Sequence, residues 1–212
     1  VYKRQGILGL LTGSLSGLLG IGGGIIMAPL LLYVPPLLGF DALSMKIVAG
    51  LTIVQGLVAS LAGGWTHRRF KFVSSRLSVF MGVSIFFSSL AGGAAARWIP
   101  NQVLLFIFAC MAFAAAILMF VPVKNDSERP DVDLLHFSRF RAVVTASAVG
   151  LSGGMVGQGG SFILIPLMTS FVHIPTRIAI GSNLGIVLIS CVAGFAGKAV
   201  TCLLYTSDAA DE

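Results

Sequence analysis

The sequence predicts an all-α polytopic membrane protein, and its composition, its long uncharged segments and an internal repeat carry that prediction. Hydrophobic residues make up 56% of the 212 residues, and charged residues only 10%. A soluble domain usually carries about a quarter charged residues, so this composition excludes a soluble enzyme and a disordered protein. The net charge of +6 marks cytoplasmic loops of a membrane protein, and no nucleic-acid partner is expected.

Both ends of the chain differ from the rest. Residues 1–5 and 202–212 resemble in-frame translations of a transposon-end sequencing adapter. We expect both segments to be non-native and leave them out of the fold prediction. The cysteines that remain, Cys110 and Cys191, lie inside apolar segments, where thiols pack as small hydrophobic groups, so no disulfide framework is expected.

Long segments without Asp, Glu, Lys or Arg fill most of the chain. A helix that spans a bilayer needs about 20 apolar residues. Six segments of 18 to 35 residues meet that test, and they are 6–40, 47–64, 77–96, 98–123, 142–176 and 178–197. The spacers between them are short and polar, which leaves no room for a separate soluble domain.

The basic residues concentrate in two loops. The loop near 65–76 and the loop 124–141 hold four basic residues each, whereas the turn at 97 has one and the segment 35–43 has none. Two helices separate the basic loops, so both lie on one side of the membrane. The positive-inside rule assigns that side to the cytoplasm.

An internal repeat relates the two halves of the chain. When Pro29 is placed over Pro166, an offset of 137, 8 of the 18 positions 13–30 are identical, including five glycines. The chain is therefore divided into a first transmembrane repeat at 6–123, the basic cytoplasmic loop at 124–141, and an incomplete second repeat at 142–201.

Each half begins with a segment of 35 residues that one helix cannot fill. Such a helix would be about 52 Å long, whereas the hydrocarbon core is about 30 Å thick. The glycine clusters at 20–24 and 157–161 are natural break points, because glycine disfavours helix. We expect an unwound segment followed by a half-helix that starts near Gly24 or Ser161. We expect a single broken crossing, which gives parallel repeats, rather than a segment that turns back, which gives inverted ones.

These breaks predict a binding site for an anion. The start of a half-helix presents unpaired N–H groups and partial positive charge, and two such starts facing each other would bind an anion without charged side chains. The predicted ligand-facing residues are Gly22, Gly23, Gly24, Gly159, Gly160 and Ser161. The glycines with Gly-xxx-Gly spacing are predicted to pack helices instead: Gly13, Gly17, Gly150 and Gly154.

Polar side chains inside the apolar segments are further candidates. Lys46 falls opposite Asn183 at the repeat offset, and we predict that Lys46 attracts the anion while Asn183 donates a hydrogen bond. A lysine that reaches the membrane interface is the alternative for Lys46. Gln55 is expected to face other helices, either as a helix-to-helix contact or as a pore-lining group. The serines near the middle of the third apolar segment, Ser84, Ser88 and Ser89, are expected to bond their own helix backbone.

Enzyme and cofactor motifs are weak. The segment Gly150-Leu-Ser152-Gly153 resembles the nucleophile motif of rhomboid proteases, but no membrane-embedded histidine follows to act as a base. The histidines are isolated in loops, without the spacing of metal ligands. We predict that the protein is not an enzyme and holds no cofactor or metal.

The repeated pattern Gly-Leu-Leu-Gly-Ile-Gly-Gly-Gly-Ile-Ile-Met-Ala-Pro at 17–29, echoed at 154–166, resembles the sulfite exporter TauE/SafE family of membrane permeases. The resemblance implies about eight helices in two related halves, with the last two helices missing here. It implies export of small anions such as sulfite or organosulfonates across the inner (plasma) membrane. The second copy has Gln158 before Gly159 and Ser161 in the last glycine place, so the site is not strictly symmetric.

Two alternatives stay open. A receptor or structural membrane protein could share the fold without transport, and an uptake permease could use the same site for other small organic acids. The expected partners are a small anionic substrate and the lipid bilayer, and the sequence leaves the oligomeric state open.

Overall fold

The computed structural model describes residues 24–37, 39, 41–67, 75–120 and 138–208. These residues form seven helices and no strands: α1 (Gly24–Leu37), α2 (Met45–His67), α3 (Ser75–Ala95), α4 (Asn101–Met119), α5 (Arg139–Val156), α6 (Ser161–Ser170) and α7 (Thr176–Asp208). The prediction of an all-α fold is confirmed. The first glycine cluster and the two basic loops lie largely outside the described residues. The division of the chain into repeats with non-native ends stays a prediction.

Four of the helices are long and apolar enough to cross a membrane. The candidate spans are Met45–Ala62, Leu77–Ala95, Asn101–Met119 and Ile178–Val200. Helices α1 and α6 are apolar but shorter, and the 10 residues of α6 reach only about 15 Å, half of a bilayer core. The protein is therefore a multi-pass membrane protein whose helices include half-length elements.

Helices α3, α5 and α7 pack closely through small residues. A Cβ added to Gly154 of α5 would overlap the Ser89 carbonyl oxygen of α3, and one added to Gly93 would lie 2.6 Å from the Gly194 carbonyl oxygen of α7. Later residues of α3 meet later residues of α5 and α7, so the three helices run parallel. The packing role predicted for Gly150 and Gly154 is confirmed, and Gly13 and Gly17 lie outside the described residues.

The serines of α3 divide between two roles. Ser84 and Ser88 donate to the carbonyl oxygens of Phe80 and Ser84 in their own helix, at 3.0 and 2.8 Å, as predicted. The expectation was wrong for Ser89, whose hydroxyl donates to the Ser190 carbonyl oxygen of α7 at 2.7 Å. Glycines on both helices bring the two backbones close enough for this contact, which ties α3 to α7.

The second 35-residue segment turns back inside the bundle, so the expectation of a single broken crossing was wrong. At the start of α6, the Gly160 nitrogen lies 2.6 Å from where a Cβ of Gly153 would be. At its end, the Phe171 ring centroid lies 6.0 Å from the Arg141 guanidinium carbon, in the first turn of α5. Helix α6 therefore runs back along α5 and ends at the side from which α5 began.

Helices at equivalent positions of the two predicted halves run in opposite directions. Helices α2 and α7 are equivalent in the repeat, and they pack antiparallel. A Cβ added to Gly194 would lie 2.9 Å from Ile53 Cδ1, and one added to Gly56 would lie 2.9 Å from Cys191 Sγ. A residue later in α2 thus contacts a residue earlier in α7, as in an antiparallel helix pair. Inverted repeats of this kind place a half-helix from each side of the membrane near the middle of the bundle.

The ends of the helices fix which connections share a side. Arg139, at the start of α5, lies with its guanidinium carbon 5.2 Å from the centroid of the Phe80 ring near the start of α3. The starts of α3 and α5 are therefore at one end of the bundle, and the turn at 171–175 lies there too. Helix α7 continues beyond the predicted apolar segment 178–197, through Lys198 to Asp208.

We expect the turn at 171–175 to face the cytoplasm together with the basic loops. In a cysteine-free version of the complete protein, single cysteines at His173 and Ser138 should react with a membrane-impermeant maleimide from the same side. Both positions are exposed.

A cysteine at Trp98, which is 68% exposed in the turn between α3 and α4, serves as the opposite-side control. A single broken crossing would instead place position 173 on the side of position 98. Labelling of 173 together with 98 would therefore contradict the turned-back arrangement.

Candidate functional site

The candidate site is the glycine break between α5 and α6, residues 157–160. Helix α5 closes where the N–H groups of Gly157 and Gln158 both donate to the Gly153 carbonyl oxygen, at 2.8 and 3.0 Å. Helix α6 opens where the Gly160 carbonyl accepts from Leu164 at 3.0 Å. The predicted break and the predicted half-helix start at Ser161 are both confirmed.

Glycine is required in the break for conformation and for space. Gly157, Gly159 and Gly160 have φ values of 80°, 61° and 71°, in the left-handed region that other residues rarely adopt. A Cβ added to Gly157 would overlap the Ala49 carbonyl oxygen, and one added to Gly160 would overlap Val149 Cγ1. Successive left-handed residues reverse the chain within four positions.

A residue of the break, Gln158, contacts the start of the first half-helix. Helix α1 begins at Gly24, which is 137 positions before Ser161, so the two half-helices start at equivalent places in the repeat. A Cβ added to Gly24 would lie 3.0 Å from Gln158 Cγ and 3.1 Å from Gln158 Cδ. The Gln158 side chain therefore lies against the first residue of α1. Gly22 and Gly23, the other predicted ligand-facing residues of that half, lie outside the described residues.

Helix α2 holds the break through Thr52. Thr52 Oγ1 lies 2.9 Å from the Val48 carbonyl oxygen of its own helix and 3.1 Å from the Gly157 carbonyl oxygen. Thr52 is 1% exposed, so the hydroxyl is shared between these two acceptors away from water. This contact gives a hydrogen-bond partner to a carbonyl that the end of α5 would otherwise leave open.

Helix α7 lies on the other side of the break. A Cβ added to Gly159 would lie 2.6 Å from Cys191 Sγ and 3.5 Å from Val187 Cγ1. Asn183 precedes Val187 by one helical turn and therefore lies on the same face. Asn183 is 6% exposed, and its Oδ1 is buried without a hydrogen-bond partner among the described residues. It is thus a polar group close to the break, as a ligand-binding role requires.

Gln55 and Lys46 lie on α2 at different distances from the break. Gln55 follows Thr52 by three residues, and its Oε1 is buried without a partner in the described part of the chain. Lys46 is exposed in the first turn, and its ammonium donates to the Arg97 carbonyl oxygen at 2.8 Å. That carbonyl is in the turn between α3 and α4, so Lys46 is at the end of the bundle rather than at the break.

Lys198 was missed as a candidate. It lies within the candidate span Ile178–Val200, and its ammonium donates to the Met155 carbonyl oxygen at 3.1 Å. Met155 is in the last turn of α5, where the helix dipole favours a cation. The sequence showed a lysine at the edge of an apolar segment, and only the continuation of α7 reveals that it reaches the break.

The break can present donors to an anion but offers no metal site among the described residues. The first N–H groups of α1 and α6 have no acceptor within their own helices, and both helices carry partial positive charge at these ends. Gly24 lies against the Gln158 side chain, and Gln158 is followed directly by Gly159, Gly160 and Ser161, so the start of α1 is close to the break. Sequence reasoning noted Gln158 only as a departure from symmetry, although a polar residue among glycines in an apolar segment was a visible signal.

Comparison with known proteins finds one matching family model and several relatives of similar description. A model of the family described as "Sulfite exporter TauE/SafE" matches residues 6–209. A "Probable membrane transporter protein" of Methanocaldococcus jannaschii is 25% identical over 189 residues, which cover 89% of this chain and 68% of that protein. One from Haemophilus influenzae is 27% identical over 183 residues, 84% of this chain and 66% of that protein. The chain thus spans about two thirds of the length of these relatives, and no solved structure matches it.

We expect Thr52→Val to destabilise the protein by about 1–2 kcal/mol, because the Gly157 carbonyl loses a buried hydrogen bond while the side-chain volume is kept. Thermal unfolding of the purified protein in detergent measures the loss. Ser84→Ala is the matched control, since Ser84 donates only within its own helix, and it should shift stability by less than about 0.5 kcal/mol. Equal shifts for both variants would show that the Thr52 contact does not hold the break.

Proposed function

The chain belongs to the sulfite exporter TauE/SafE family, and we propose that it is a permease that moves small anions, sulfite or organosulfonates, out of the cell. The anion binds between the starts of the two half-helices, at Gly22, Gly23 and Gly24 on one side and Gly159, Gly160 and Ser161 on the other. Rocking of the inverted halves exposes this position to each side of the inner membrane in turn.

One observation supports this proposal above the others: α1 and α6 start at positions equivalent in the repeat, and the start of α1 lies against the break. Half-helix starts that meet inside a bundle concentrate unpaired N–H groups where lipid and bulk water are excluded. Such a place attracts negative charge without needing an arginine or a lysine beside it.

The second candidate is a receptor or structural protein of the same fold. Relatives described as probable membrane transporter proteins favour transport over it. An enzyme is less well supported. The Ser152 hydroxyl, the candidate nucleophile, donates to the Ala148 carbonyl oxygen of its own helix at 2.8 Å. We therefore assign no reaction to this protein.

Efflux of labelled sulfite from loaded vesicles that carry the complete protein tests transport. We expect saturable efflux, and we expect Gly160→Ala to reduce it about tenfold. The added Cβ would overlap Val149 Cγ1, and the left-handed backbone costs about 1–2 kcal/mol for a residue other than glycine.

Gly185→Ala is the matched control for this variant. A Cβ at Gly185 would meet nothing within 4 Å, so efflux should stay at the wild-type level. Absence of efflux for sulfite and for a panel of sulfonates and organic acids would leave the receptor function. Equal efflux by the Gly160 and Gly185 variants would show that the anion does not bind at the break.

Lys46 lies beside the turn between α3 and α4, and it is proposed to raise the local anion concentration at the non-cytoplasmic opening rather than to bind at the break. Lys46→Gln should then increase the KM several-fold at low ionic strength, with little effect at high salt, because the attraction between exposed charges is screened. Steady-state flux at two salt concentrations, with the anion supplied from the side of the α3–α4 turn, measures this. An unchanged KM at low salt would make Lys46 only an interfacial anchor.

A further inference from the structure

Gln158 has an unusual environment that anion binding by helix starts does not explain. Its side chain is 2% exposed, and both Oε1 and Nε2 are buried without a hydrogen-bond partner among the described residues. Buried amides are normally paired, because an unpaired donor or acceptor loses its hydrogen bonds to water without replacement. An amide left open on both of its atoms is a group prepared for a ligand.

The position of this amide identifies the ligand site. The Gln158 side chain lies against Gly24, with its Cδ 3.1 Å from where a Cβ of Gly24 would be. Gln158 also precedes the first residue of α6 by three positions. The carboxamide therefore lies at the start of α1, on a residue three positions before the start of α6, and the proposed function puts the anion at these two helix starts.

The repeat makes this site one-sided. The residue equivalent to Gln158 at the offset of 137 is Ile21, so only the second half supplies a carboxamide. Gly24 also has a specific role: its missing side chain leaves the space that the Gln158 side chain fills. Gly24 of the first half and Gln158 of the second half are thus complementary in shape.

We propose that the Gln158 carboxamide contacts the transported anion directly and selects anions that also carry a hydrogen-bond donor, such as a hydroxyl group. The inference rests on the proposed function and deepens it. Nε2 donates to an oxygen of the anion, and Oε1 accepts from the donor of the same ligand. Both open atoms of the amide are then satisfied by one molecule.

This arrangement disfavours anions that have only acceptors, so it favours the protonated form, hydrogensulfite, over the sulfite dianion. A ligand with only acceptors pairs with Nε2 but leaves Oε1 unpaired beside its own negative oxygens. A site built to hydrogen-bond a substrate hydroxyl rejects the analogue without it strongly, because its buried polar group is left open. We expect 2-hydroxyethanesulfonate to bind at least about tenfold more tightly than ethanesulfonate.

A packing role for Gln158 is the competing explanation. If the side chain only fills the space beside Gly24, an unbranched apolar residue of similar length would serve equally well. Gln158→Met keeps the volume and removes both polar atoms, whereas Gln158→Asn keeps the amide on a shorter stem. These two variants distinguish hydrogen bonding by the amide from filling of the space beside Gly24.

Equilibrium binding to the purified complete protein in detergent is measured for two matched ligand pairs. One pair is 2-hydroxyethanesulfonate and ethanesulfonate, and the other is glycolate and propionate. We expect the wild type to prefer the hydroxyl-bearing member of each pair that binds, Gln158→Met to lose the preference, and Gln158→Asn to keep part of it. Ser84→Ala is the control and should keep all of it.

Each outcome decides the proposal. Wild-type binding without a hydroxyl preference, or an equal preference in Gln158→Met, overturns the role of Gln158 and leaves anion transport intact. Binding of none of the four ligands overturns the role of Gln158, and the sulfite efflux experiment then decides the proposed function by itself. If Gln158→Met does not purify as a single species, Gln158→Glu replaces it. Its carboxylate keeps the shape but has no donor and repels anions, so unchanged affinity for that variant also overturns the proposal.

Discussion

An interrupted helix inside a membrane exposes backbone N–H and C=O groups that lipid cannot satisfy, and the arrangement of the bundle follows from that constraint. The break at 157–160 is enclosed by α2, which supplies the Thr52 hydroxyl, and by α7, which covers Gly159 with Cys191. Close packing of α3 against α5 and α7 through glycines completes the enclosure. The polar groups that stay open inside it are the ones that a ligand can use.

The sequence predicted the position of this break but not its direction. The glycine cluster and the repeat offset placed the half-helix start at Ser161, and α6 begins there. Gly157, Gly159 and Gly160 permit both a straight continuation and a reversal, because glycine adopts either sign of φ. The choice is made by contacts such as Gly160 against Val149, which join residues that composition and spacing do not relate.

Side-chain roles were predictable only where they depend on the chain's own helix. Ser84 and Ser88 bond their own backbone, as residues of that type in a helix do. Ser89, Thr52 and Lys198 instead bond carbonyls on other helices, and these partners depend on how the helices pack. The sequence likewise identified Gln158 as an asymmetry, while its fit against Gly24 needed the fold.

The turned-back half-helix α6 has an electrical consequence. Because α6 spans only about half of the hydrocarbon thickness, the break lies well inside the membrane, and a charge bound there has crossed part of the membrane potential. One elementary charge that crosses the whole potential changes its free energy by about 2.3 kcal/mol per 100 mV. A cell interior at negative voltage would therefore drive an anion outward past the glycines.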